Sequence, residues 1–238
     1  MSTITSRIIS PPIFYWGTPV VLITTENEDG TSNIAPMSSA WWLGNRCMLG
    51  LAAGSQTTTN LIRSEQCVLN LASDDMAEAV NALARTTGSK DILTTAQANG
   101  FKRMNGYKYV ADKFGHSGLT AEASDLVRPP RIAECPAQME AELKGIHKMM
   151  QDAGGKRIFA LEVKVVRTHV HEGICMEGYA NRIDPDKWRP LIMSFQELYG
   201  LAEKTISRSI LAEINEENYR PLSNSVDVEV TMESNLKE

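Results

Sequence analysis

The tightest constraint on the fold is Pro19-Val-Val-Leu-Ile-Thr-Thr25, a β-branched run followed at once by Asn27-Glu-Asp-Gly30. Branched side chains crowd a helix but pack well on a pleated sheet. Asp-Gly is the strongest short-range hairpin signal, because it accepts the positive φ angles of a tight turn. The run therefore predicts a buried strand and a reversal near residue 30. The chain then resumes through Thr31–Ser39 and Ala40-Trp-Trp-Leu-Gly44.

Further strands are predicted over Arg46–Ala52 and Cys67–Leu71, separated by the polar segment Gly54-Ser-Gln-Thr-Thr-Thr-Asn60 that leads into Leu61, Ile62 and Arg63. Ser73-Asp-Asp75 is a helix start, with Met76, Val80, Leu83 and Ala84 at helical spacing and Gly88 beyond the end. Ala133–His147 fits either period, but Met139/Ala141/Leu143 alternate with Glu140/Glu142/Lys144, which favours a strand. A short helical turn is expected after it, up to Gly154-Gly155. Arg157–His171 is rich in Ile and Val and predicts another strand. Asp184-Pro-Asp186 predicts a turn, and Trp188–Gly200 and Glu203–Asn218 are expected as C-terminal helices. About seven strands and a few short helices point to a single-domain β-barrel with peripheral α-helices. The expected division is an arm over 1–11, a domain over 12–222 and an acidic tail over 223–238.

Composition narrows the functional classes. The 42% apolar content argues against disorder. With 24 Lys and Arg against 29 Asp and Glu, the net charge of −5 argues against a nucleic-acid surface. No run approaches the roughly 20 apolar residues of a membrane span. Met1–Pro12 lacks the apolar core of a signal peptide, and Cys47, Cys67, Cys135 and Cys175 are widely spaced without CxxC. A reduced, cytoplasmic protein is the expectation.

GxGxxG, GxxxxGK[ST], GxSxG and HExxH are all absent. His169 and His171 stand two apart on a predicted strand, either half of a metal site or two rim histidines, and no metal is expected. His116, between Gly115 and Ser117 in an expected loop, either covers a ligand or faces solvent. Two segments hold more promise. Asn33-Ile-Ala-Pro-Met-Ser-Ser-Ala-Trp-Trp42 combines small residues and hydroxyls, which let backbone amides approach a planar ring, with the apolar walls of Met and Trp. Gln56-Thr-Thr-Thr-Asn60 opens a predicted helix, where hydroxyls and free amides cradle phosphate. An ordinary turn and an ordinary helix cap remain the plain alternatives. Bracketing one strand, the two segments suit a ligand with a ring at one end and a phosphate at the other.

In order and spacing the chain resembles the flavin reductase-like, FMN-binding split-barrel family, and its flavoredoxin branch in particular. The resemblance rests on Thr18–Thr25, Asp29-Gly30, Asn33–Ser38, Thr57-Thr-Thr-Asn60, Val68-Leu-Asn-Leu71, Lys113–Thr120, Pro129–Pro136 continuing through Met139–Leu143, and Asp184–Leu201. The chain departs from the family pattern at Asn45-Arg46-Cys47, Gln56, Cys67 and the Trp41-Trp42 pair. The resemblance implies a split β-barrel homodimer with one FMN per subunit. Asn33, Ala35, Pro36, Met37, Ser38, Ser39 and Ala40 would line the ring, Thr57, Thr58 and Asn60 would hold the phosphate end, and Lys113 would supply positive charge. It further implies an NAD(P)H-dependent flavin oxidoreductase passing electrons to a free flavin or small acceptor, with no catalytic side chain required. An FMN electron-transfer protein reduced by a partner protein, and a non-redox ligand-binding barrel, are the alternatives.

Overall fold

The computed structural model describes residues 4–93, 100–152, 158–202, 207, 209–213 and 216. The first half of the chain contributes strands β1 (Trp16–Pro19), β2 (Val21–Glu26), β3 (Ser32–Met37), β4 (Ala40–Leu43), β5 (Arg46–Ala52) and β6 (Gln66–Leu71), with helix α1 (Gln56–Ser64) between the last two. Helix α2 (Ala77–Leu83), the short strands β7 (Thr86–Thr87) and β8 (Lys108–Tyr109), and helices α3 (Gly100–Met104) and α4 (Lys113–Ser117) follow. Then come β9 (Ala121–Glu122), β10 (Arg131–Ile132), the long pair β11 (Ala137–Met149) and β12 (Ile158–Val170), and finally β13 (Ile192–Ser194) and β14 (Glu197–Tyr199).

Seven strands form one antiparallel sheet in the order β3-β2-β6-β11-β12-β5-β4. Its two outermost strands, β3 and β4, are joined only by Ser38 and Ser39. Edges linked that closely cannot lie at opposite ends of a flat sheet, so the sheet curls on itself. The backbone N–H of Gly50 donates to Ser39 O across the junction at 2.7 Å. A Cβ at position 50 would lie 3.0 Å from Ser39 Cβ, so the close approach depends on glycine.

The period of two in each strand sorts side chains between two layers. Val21 and Ile23, Cys47, Leu49 and Leu51, Cys67 and Leu69, Met139 and Ala141, and Leu161 and Val163 form the interior cluster, with Leu61 of α1 packed among them. The opposite faces of β2 and β3, through Val20, Leu22 and Ile34, pack against Met76, Val80 and Leu83 of the α2 region and against Leu119 and Ile132. Both faces of β2 are thus buried, which explains a strand that reads as a continuous apolar run. Burying each such side chain is worth about 1.5–3 kcal/mol.

The predicted hairpin is present: β2 pairs with β3 in a register that sets Thr25 opposite Asn33, and Gly30 takes φ 80°. Ala133–His147, which alternated in sequence, is strand from Ala137 onward. The expected helix over Trp188–Gly200 is instead the β13–β14 hairpin, because β13 finds a partner in β1, nearly 180 residues away in sequence. Of the expected Glu203–Asn218 helix, Ile210–Glu213 forms a single 3-10 turn. Much of that segment, the turn at Gly154-Gly155 and the 223–238 tail fall outside the described residues. His116 is in the last turn of α4 rather than in a loop. Among the described residues no helix is long and apolar enough to cross a membrane.

Candidate functional site

The β2–β3 hairpin and the start of α1 meet in a buried polar network. Register places Thr25 beside Asn33, and helical spacing presents Thr57 and Asn60 on one side of α1 toward them. Asn33 Nδ2 donates to Thr57 Oγ1 at 3.1 Å and to Thr25 Oγ1 at 3.4 Å. Asn60 Nδ2 donates to Thr25 Oγ1 at 3.0 Å and to Asn27 Oδ1 at 2.8 Å. Gln56 Nε2 completes the chain by donating to Asn60 Oδ1 at 2.8 Å. Networks of this kind, in a low dielectric, fix side-chain orientation.

One acceptor in the network is unused. Asn33 is 1% exposed, and its Oδ1 has no hydrogen-bond partner among the described residues. An orphaned buried carbonyl normally costs about 1–3 kcal/mol, so it points to a donor brought by a ligand. Gly88 lies directly against it: a Cβ there would stand 2.5 Å from Asn33 Oδ1 and 3.1 Å from Gln56 Cγ. Only glycine fits there, so Gly88 forms one wall of a tight cradle around the free acceptor.

Thr58 is committed elsewhere. Its hydroxyl donates to Ala52 O at 2.9 Å and its backbone N–H to the Ser55 cap at 3.1 Å, so it serves the helix end. Lys113 of α4 is 3% exposed and donates to Ile34 O at 2.7 Å, which fixes it behind β3. Burial, and then the nearby charge of Lys102, push its amine down to about 8. Along β3, Ala35, Pro36 and Met37 are half-buried, and Ser38 and Ala40 are buried. Ser39 Oγ lies 3.3 Å from the Tyr15 hydroxyl. From Asn33 to Ser38 the strand advances about 16 Å at the usual rise, so the two predicted segments occupy the two ends of one edge strand.

The two histidines have different partners, and His171 lies just past the end of β12. His169 Nε2 meets Glu140 Oε1 at 2.6 Å, whereas His171 Nε2 meets Ala133 O at 2.9 Å. Asp125, Glu140 and His169 present ligand atoms within 4.8 Å of one another. The carboxylate of Glu140 is, however, occupied by the backbone N–H groups of Asp125, Leu126 and Val127, and Asp125 is held by Arg167 at 2.6 Å. Burial raises the Glu140 pKa, but the N–H groups of Asp125 and Leu126, with His169, outweigh it and hold the carboxyl below its ordinary value. The cluster pins the 123–130 loop to the barrel. His116 Nε2 lies 3.1 Å from Ala82 O and so ties α4 to α2.

Sequence reasoning missed Thr25, Asn27, Gly88 and Lys102. The first two were accessible in principle, since an Asp-Gly turn sets Thr25 opposite Asn33. The other two arrive from the segment after α2, whose return path no local pattern announces.

A family profile described as a flavin reductase like domain matches residues 15–182. The chain belongs to the flavin reductase-like family. A curated relative, the uncharacterized protein YdfE of Bacillus subtilis strain 168, is 39% identical over 197 residues, covering 82% of this chain and 89% of its own. Among solved structures, the flavoredoxin of Desulfovibrio vulgaris (Miyazaki F) superposes with a TM-score of 0.67 at 16% identity, covering 89% of this chain and all of that one. An FMN-binding protein from Thermus thermophilus, solved with bound 1-cyclohex-2-enone, gives 0.61 at 16% identity over 87% of this chain and 100% of that one. The barrel is thus the split-barrel fold of flavin reductase-like proteins, and membership of the family supports flavin-related oxidoreductase or electron-transfer chemistry.

Proposed function

We propose that this protein is an NAD(P)H-dependent flavin oxidoreductase that holds FMN along β3 and at the start of α1, within a functional domain over 12–222 flanked by the 1–11 arm and the 223–238 tail. The observation that carries the reading is the orphaned Asn33 Oδ1 beside Gly88. A buried acceptor with a bulk-free neighbour fits a flavin, which brings its own N–H and hydroxyl donors. In this reading the face of β3 from Ala35 to Ser39, with Ala40, meets the ring. Thr57, Asn60 and the charge of Lys113 serve the ribityl-phosphate end. Thr58 supports that end by capping α1 rather than by contact.

Bound FMN would supply two-electron chemistry between a nicotinamide donor, NADH or NADPH, and a free flavin or other small acceptor. The protein's share is binding and electrostatics. Backbone amides around Ser38–Ala40 stabilise negative charge that develops on the ring, while the Asn33–Thr57–Asn60 network holds its neighbours still. No side chain is required to transfer a proton.

A homodimer belongs to the same reading. β4 is a sheet edge, and on it Trp41 is 58% and Leu43 75% exposed. An apolar edge of that kind calls for a second copy. Three buried free thiols, Cys47, Cys67 and Cys135, suit the reducing cytoplasm.

The test is the absorbance spectrum of the purified protein, identification of any released chromophore, and anaerobic titration with NADH and NADPH. Flavin bands, released FMN and bleaching by either nucleotide without a partner are expected. A protein that carries no flavin and binds none refutes the reading; a flavin that neither nucleotide bleaches leaves the partner-reduced carrier instead.

A further inference from the structure

The residue just before β1 reaches the Ser39 end of β3 from a different sheet. Tyr15 is half-buried, and its hydroxyl lies 3.3 Å from Ser39 Oγ. Its backbone is fixed from behind. Phe195 N–H donates to Tyr15 O at 2.8 Å, and the Trp16 and Phe195 rings meet edge to face at 4.6 Å. Phe195 and Gln196 keep this contact in the left-handed region, at φ 47° and 71°, which a bulky side chain adopts only where its surroundings impose it.

Ser39 is held as firmly. Gly50 N–H donates to its carbonyl at 2.7 Å, and a Cβ at position 50 would lie 3.0 Å from Ser39 Cβ, so the serine has no room to shift toward β5. Independent supports thus set the two hydroxyls against each other. A hydroxyl pair shares one hydrogen bond and has one proton left over. The phenol is the stronger donor and the weaker acceptor, so Tyr15 donates to Ser39 Oγ. The Ser39 O–H is then without an acceptor among the described residues, and accepting from Tyr15 polarises it into a better donor.

We propose that Tyr15 is a positioning residue: by donating to Ser39 Oγ it turns the serine O–H toward the bound ring, where negative charge builds on reduction. The proposal rests on the FMN reading, in which Ser39 meets the ring. A preoriented donor favours the reduced form over the oxidised one and so raises the two-electron potential of bound flavin.

The midpoint potential of bound FMN, measured against a reference dye during anaerobic reduction, reads this in wild type, Tyr15→Phe, Ser39→Ala and the double variant. Tyr15→Phe keeps the ring and its packing. Loss of one hydrogen bond should weaken reduced relative to oxidised FMN about 3- to 10-fold, a fall of about 15–30 mV for a two-electron couple. Oxidised FMN should bind Tyr15→Phe within about threefold of wild type, which also reports a folded site. Ser39→Ala should lower the potential at least as far, and the double variant no further than Ser39→Ala. A ring-fluorinated tyrosine at position 15, a stronger donor of nearly the same size, should move the potential upward. A wild-type potential in Tyr15→Phe overturns the proposal, as does a further fall when Tyr15→Phe is added to Ser39→Ala. Wild-type protein that binds no FMN overturns the FMN reading and the proposal together, whereas bound FMN with an unmoved potential overturns the proposal alone.

Discussion

Adding a single methyl group at Gly88 tests the cradle directly. In Gly88→Ala the new Cβ would start 2.5 Å from Asn33 Oδ1, well inside ordinary contact, and 3.1 Å from Gln56 Cγ. Relief requires the Asn33 amide to retreat by about 0.7 Å or more. That amide is tethered at 3.1 Å to Thr57 and at 3.4 Å to Thr25, so such a retreat takes both contacts past hydrogen-bond length. Overpacking costs about 1–3 kcal/mol and each lost hydrogen bond about 1. The sum is about 3–5 kcal/mol, or a fall in Tm of roughly 6–20 °C for a chain of this size. Because Asn33 Oδ1 is the acceptor offered to ligand, FMN affinity should fall by at least about tenfold in parallel. Gly54→Ala is the control, since nothing lies within 4 Å of a Cβ there. Thermal unfolding and flavin fluorescence titration read both effects. A Gly88→Ala protein with the Tm and FMN affinity of Gly54→Ala would refute the cradle.

Four further outcomes are expected. Glu140→Ala strands three backbone N–H groups and His169, so urea unfolding should show a loss of about 3–5 kcal/mol; a loss below about 1 would mean that the 123–130 loop is held by something else. Because the Glu140 pKa is depressed, its share of stability is present above the unfolded carboxyl value and is lost as pH falls through the folded one, which an acid titration of wild type against Glu140→Gln should show. Lys113 is shifted the opposite way for its type, from 10.5 to about 8, so the unfolded chain binds the extra proton between those values and ligand-free wild type should gain stability relative to Lys113→Met as pH rises from 7 to 10. A flat difference across that range would contradict the buried amine. Leu43→Lys places a charge on the exposed β4 edge and should raise the dimer dissociation constant at least about tenfold in sedimentation equilibrium, whereas unchanged association would move the interface elsewhere.

The barrel strands were legible because their signals are local. Val21–Thr25, Arg46–Ala52 and Ile158–Val170 carry branched or alternating side chains, and Asp29-Gly30 marks its own turn. The β13–β14 hairpin was not, for two physical reasons. Its partner β1 lies at the far end of the sequence, and its turn is made by Phe195 and Gln196 at φ 47° and 71°, without the Gly or Asn that normally announces such a conformation. The site divides similarly. Asn33, Thr57 and Asn60 were readable because hydroxyl and amide side chains at a strand and a helix start are uncommon together. Gly88 and Lys102 reach them only through tertiary return of the 85–113 segment. The different partners of His169 and His171 were hidden because Glu140 and Ala133 reach them only through tertiary pairing.

The strand order carries a consequence for biosynthesis. β3, β2 and β6 form one flank of the sheet and β5 and β4 the other, and among the described residues it is the β11–β12 hairpin that bridges them in the strand order. On the ribosome, both flanks emerge more than 60 residues before the element that unites them. During that interval two sheet edges and half of the interior face water, the condition in which chains pair wrongly or are captured by chaperones. Rescue of the nascent chain therefore hinges on the late hairpin, and slowing translation just before residue 137 should lengthen chaperone dependence more than a pause anywhere after residue 170.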